Sequence, residues 1–88
     1  MYQINVVTYC TRMDVKNARR KVANRQKRIL GGWFESVKLA RKALKKLFEK
    51  EGFQIGNEVE GKGSETYVKT LFFGNIMLEM EYKIIKCN

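Results

Sequence analysis

The sequence predicts an α+β domain of order β-α-α-β-β-β. This is a four-stranded, mostly antiparallel sheet with two basic amphipathic helices on one face. Three observations carry the prediction. Apolar residues alternate at period two near the start and again over the second half of the chain. Two stretches between them repeat apolar residues at the helical period. The chain has 88 residues, 44% of them hydrophobic, which supplies one core, so residues 1–88 are read as a single domain.

The first strand sets Tyr2, Ile4 and Val6 against Gln3 and Asn5. Val7 and Tyr9 make its second side partly apolar, so cover on both faces is expected near its end. Asp14 is a suitable N-cap for a helix running to about Leu30, in which Val15, Ala18, Val22 and Ile29 share one arc. Gly31-Gly32 would cost a helix interior about 2 kcal/mol, so a turn or sharp kink is expected there. A second helix is expected from Trp33 to about Glu51. Trp33, Val37, Ala40, Leu44, Leu47 and Phe48 lie on its apolar arc, and Gly52 follows as the C′ residue.

Residues 53–60 return to period two and read as a strand. Gly61-Lys62-Gly63-Ser64 reads as a turn. Two further strands, over about 65–73 and 76–85, are joined by Gly74-Asn75 in a type II′ hairpin. That turn pairs Phe73 with Ile76, Leu71 with Leu78, Lys69 with Met80 and Tyr67 with Tyr82, gathering apolar residues on one face. The helices are expected to pack on Phe73, Leu71, Leu78, Ile76 and Tyr82.

The charge is concentrated. There are 18 Lys and Arg against 9 Asp and Glu, for a formal charge of +9. Residues 12–50 hold 14 of those basic residues and three acids. A helix face that is merely solvated mixes its signs. A face of one sign repels itself and suits a polyanion. The expected nucleic-acid contacts are Lys16, Arg20, Lys21, Asn24, Arg25, Lys27 and Arg28 on the first helix. Lys38, Lys42, Lys45 and Lys46 supply those on the second. No helix-turn-helix spacing is present, and a broad basic surface fits backbone and shape recognition, so RNA is favoured over DNA. An acidic protein partner and a homodimer through an exposed edge strand stay open. A membrane surface is disfavoured because the core needs the apolar arcs.

Histidine is absent, which excludes imidazole mechanisms and leaves Glu, Asp, Lys, Tyr or Cys for proton transfer. A binding role without catalysis is the preferred reading. Were the protein a ribonuclease, Lys69 or Lys62 would stabilise the phosphorane charge and Glu65 or a tyrosine would move protons. Lys69 otherwise reads as a lysine at the sheet margin reaching water, and Trp33 as core or core edge. No cofactor or metal is expected. Cys10 and Cys87 match neither a zinc nor a CxxC spacing and read as reduced thiols, a disulfide requiring the two ends to meet. No apolar run is long enough to span a bilayer and no signal peptide is recognisable, so a cytoplasmic location is expected.

Residues 44–53, Leu-Lys-Lys-Leu-Phe-Glu-Lys-Glu-Gly-Phe, followed by Gly63-Ser64-Glu65-Thr66-Tyr67-Val68, resemble the HicA-type mRNA interferases. This resemblance covers about a quarter of the chain. It implies a fold similar to double-stranded RNA-binding domains, and it places Glu65 where that family has its catalytic histidine. The element order is similar to that of the RelE-type mRNA interferases. Size, charge and a Lys/Asn/Ile-rich composition resemble small early bacteriophage proteins that antagonise host defences, which would place the chain in a bacterial host cytoplasm.

Overall fold

The alternation at the start of the chain forms a long strand, β1 (Tyr2–Arg12). In the computed structural model, which describes residues 1–63 and 65–87, β1 is followed by β2 (Lys21–Gln26), α1 (Val37–Lys50), β3 (Val59–Gly61), β4 (Thr66–Phe73) and β5 (Ile76–Lys86). One antiparallel sheet runs in the order β2-β1-β5-β4-β3. The order β-β-α-β-β-β, with five strands and one helix, overturns the expected four strands and two helices. The element order that carried the likeness to RelE-type interferases is therefore not the observed one.

The difference lies in residues 14–30. Asp14 caps no helix; its carboxylate pairs with Arg12 at 2.9 Å. Asn17 takes a left-handed φ of 61°, which ends any helix there. β2 then lines the outer edge of β1, running from Val6↔Gln26 to Cys10↔Lys21 with an irregularity after Thr8. The cause is tertiary. Without β2, Val6 to Cys10 of β1 would leave their outward backbone groups unpaired at the sheet edge. Every β2 side chain is exposed, so the strand needs no alternating pattern. Val15 and Ala18, with Cys10, Arg12, Arg19 and Lys21, line a cavity of about 410 Å³ instead of forming a helical arc.

The helix starts later than expected. Ser36 is its N-cap, the hydroxyl accepting from Leu39 N–H at 3.2 Å. At the other end Phe53 N–H donates to Phe48 O and Gly52 N–H to Glu49 O, with Gly52 at φ 88°. This Schellman pattern bears out Gly52 as the C′ residue. Ala40, Leu44 and Phe48 are fully buried against Ile4, Val6, Val59, Tyr82 and Ile84. The Phe48 ring meets Tyr82 edge-on at 5.0 Å and Tyr67 at 6.4 Å. The helix therefore does not cover Phe73 and Ile76, which stay exposed at the far end of the sheet.

The β4–β5 hairpin turns at Gly74-Asn75 with the expected register, from Phe73↔Ile76 to Tyr67↔Tyr82. Residues 53–58, expected in a strand, form a turn closed by Glu58 N–H to Gln54 O and Gly56 N–H to Val59 O. Only Val59–Gly61 pairs with β4. Lys62 N–H donates to Thr66 O across the following turn, whose Ser64 lies outside the described residues.

Cys10 and Cys87 are free thiols. Cys10 pairs opposite Leu78, nine residues along the β5 direction from Cys87, which separates them by about 30 Å. Gly52→Ala should cost about 1 kcal/mol from the positive φ alone, because nothing lies within 4 Å of the added methyl group. Urea denaturation measures this, and an unchanged midpoint would contradict the cap.

Candidate nucleic-acid interface

The apolar arc of α1 is fixed against the sheet, so its opposite arc must face water. Lys38, Lys42, Lys45 and Lys46 stand there, all exposed. Among the described residues, none of the four has a carboxylate within 4 Å. Arg41 lies nearer the sheet and bonds Glu65 at 2.8 Å, tying the helix to the start of β4.

The remaining predicted contacts sit on the β1–β2 hairpin or just after it, and the sheet divides those on the strand between two faces. Cross-strand partners share a face. Lys21 and Asn24, opposite Cys10 and Thr8, lie on the helix side. Arg25, opposite Val7, lies on the open side. Asn24 Oδ1 accepts from Arg25 N–H, a local bond that occupies the amide oxygen. Arg20 also belongs to the open side. Its guanidinium stacks 3.9 Å from the Tyr9 ring centroid and reaches Glu79 at 4.0 Å. Lys16 lies exposed in the β1–β2 connection, and Lys27 and Arg28 follow β2. Instead of the two helix faces expected, the basic residues form a lysine ridge on α1 and a separate basic strand edge on β2, divided between the two faces of the sheet.

Trp33 is not in the core: 47% of its surface is exposed. It projects from a short excursion in the segment joining β2 to α1. Before the excursion Ile29 N–H donates to Ile4 O. After it, Phe34 and Tyr2 exchange bonds at 2.7 and 2.8 Å. A groove of about 420 Å³ runs between Trp33 and α1, lined by Phe34, Glu35, Leu39, Lys42, Ala43 and Lys46. Arg28 sits 5.4 Å from the indole centroid. Sequence periodicity missed this feature because it extended the helix back to Trp33. The Ser36 cap three residues before Leu39 is the signal that could have separated them.

Lys69 does not reach water. It is 3% exposed, paired with Glu51, and lies 4.8 Å from the Phe53 ring centroid. Glu65 is held by Arg41, and Lys62 is exposed in the turn before β4. No hydrogen bond or ion pair joins Lys62, Glu65 and Lys69 among the described residues. Burial, reinforced by the nearby Glu51 charge, pushes the Tyr82 phenol up to about 12. Among the described residues, no three Cys, Asp or Glu side chains gather as a metal site. The helix is too short and polar to cross a membrane.

Comparison with protein families, characterised proteins and solved structures finds no match to the chain. The functional reading therefore rests on its own surface.

Glu51→Gln should destabilise the fold by about 3 kcal/mol by leaving the Lys69 ammonium buried without its carboxylate. Lys69→Met should cost less, because Glu51 is partly open to water. Urea midpoints of the two variants compare them, and the reverse order would refute the pairing. The Tyr82 contribution is whole below pH about 10 and disappears as pH rises through about 12, because the folded state holds that proton more tightly. Stability should fall in that window by about 2 kcal/mol, and Tyr82→Phe should lack this component in denaturation curves taken against pH.

Proposed function

We propose that the protein binds RNA through the lysine ridge of α1, with the basic residues of the β2 edge as a second, separate contact. The carrying observation is a cluster of lysines without an ion pair among the described residues, in which exposed Glu49 is the one acid among them on the helix. Lys38, Lys42, Lys45 and Lys46 crowd one helix face with no acid paired to any of them among the described residues. Such a surface gains most from phosphates, whose binding releases condensed counterions. The ridge positions are lysines, which engage phosphate as point charges and carry little of the bidentate base-reading chemistry of Arg, Asn or Gln. Recognition of backbone and shape follows, the usual mode for folded RNA. The ridge is supported from below by the Phe48 core contacts and the Arg41–Glu65 bond, so the cations are displayed on a fixed element.

Lys69, the candidate nuclease lysine, is enclosed by Glu51, Phe53 and Tyr82, which favours binding without cleavage. With about six phosphates engaged, the log-log dependence of affinity on salt should have a slope of about −4 to −5. Fluorescence anisotropy with a labelled structured RNA measures it. A flat response would refute the proposal. Lys42→Glu with Lys46→Glu should abolish binding while leaving the urea midpoint close to wild type. Retained binding would remove the ridge from the interface. The RNA should be recovered intact on a denaturing gel.

A further inference from the structure

We infer that the groove beside Trp33 takes an unpaired RNA nucleotide, its base stacked on the indole and its flanking phosphates held by Lys42 and Lys46. The inference rests on the RNA-binding reading and adds to it a strand state and a base site.

Four observations converge on this groove. First, the chain's only tryptophan is displayed, although the core a few residues away could have buried it. Second, its loop is held in an unusual backbone conformation. Leu30, Gly31 and Gly32 take φ of 60°, 94° and 96° in succession, and Leu30 does so without glycine's freedom. The Ile29–Ile4 and Phe34–Tyr2 bonds clamp the two ends of that excursion to β1, which holds the strained backbone in place. Third, cations border the indole. Lys42 and Lys46, one helical turn apart, line the groove across from the ring, and Arg28 lies 5.4 Å from the indole centroid outside the groove's lining. Glu35, the groove's one acid, offers an acceptor to a base N–H. Fourth, the cavity of about 420 Å³ falls within the roughly 300–1,000 Å³ span of small-ligand sites.

An aromatic platform edged by cations is how single-stranded nucleic acid is held, since every base has a π face and every linkage a charge. A base inside a duplex presents no such face, so the groove selects unpaired nucleotides. The lysines of the ridge would follow the backbone away from the stacked base.

The only tryptophan makes the test direct. Full-length protein is titrated with a short labelled oligouridylate and with a blunt RNA duplex of equal length, reading RNA anisotropy and Trp33 emission together. The single strand is expected to quench the emission and bind about tenfold tighter than the duplex. Trp33→Ala should lose about tenfold in single-strand affinity and leave duplex affinity unchanged, while Trp33→Phe keeps most of it. Trp33 is half exposed, so neither variant opens the core, and the urea midpoint checks this. If both RNAs bind with an unchanged emission spectrum and Trp33→Ala binds like wild type, the base site is overturned and the RNA-binding reading survives. If the wild-type protein binds neither RNA, both fall.

Discussion

The pairing of β1 with β5 is the interaction on which the other elements depend. It runs without interruption from Tyr2↔Lys86 to Arg12↔Ile76, joining the first strand to the last at the centre of the sheet. β4 reaches the sheet by its hairpin to β5, and β2 by its ladder to β1. The helix has nowhere to bury its apolar arc until Ile4, Val6, Tyr82 and Ile84 lie side by side, and those four come two from each central strand. The ladder must bring together residues from about 64 to 84 positions apart before the helix can find its seat. Folding dominated by such non-local pairing is intrinsically slow.

One helix over five strands leaves an uneven molecule. The helix covers the end of the sheet where Ile4 and Ile84 meet, and the other end carries Phe73 and Ile76 bare. The basic surface inherits this asymmetry. Its ridge is rigid because a packed helix carries it, while Lys21, Asn24 and Arg25 sit on an edge strand with free backbone groups along its outer side. Arg20 is withdrawn from that surface by Tyr9 and Glu79 on the open face. Charge counted along the sequence therefore overstates the charge any one partner meets.

Much of this arrangement could be read before the structure. The β4–β5 register follows from a two-residue turn and a strict alternation, both local signals. The apolar arc from Val37 to Phe48 follows from helical period and ends at a glycine that only a cap explains. What could not be read is β2. Its residues are exposed on both sides, so burial wrote no alternation into them, and four apolar residues at helical spacing supplied a false signal. The fate of Lys69 was hidden for a similar reason. Its position on the apolar face was visible, but Glu51, which makes burial tolerable, lies eighteen residues away past the helix end. Trp33 was assigned to a helix it precedes, so the residue that defines the groove was placed in the core.

The two thiols lie at opposite ends of the central ladder, each partly accessible. At about 30 Å they cannot bridge within one molecule, where a disulfide needs Cα atoms within about 7 Å. Oxidation therefore cannot lock this fold. Any disulfide between Cys10 and Cys87 would have to join two copies of the chain. The stability of the domain rests on its core and not on a covalent tie between the two ends of the chain.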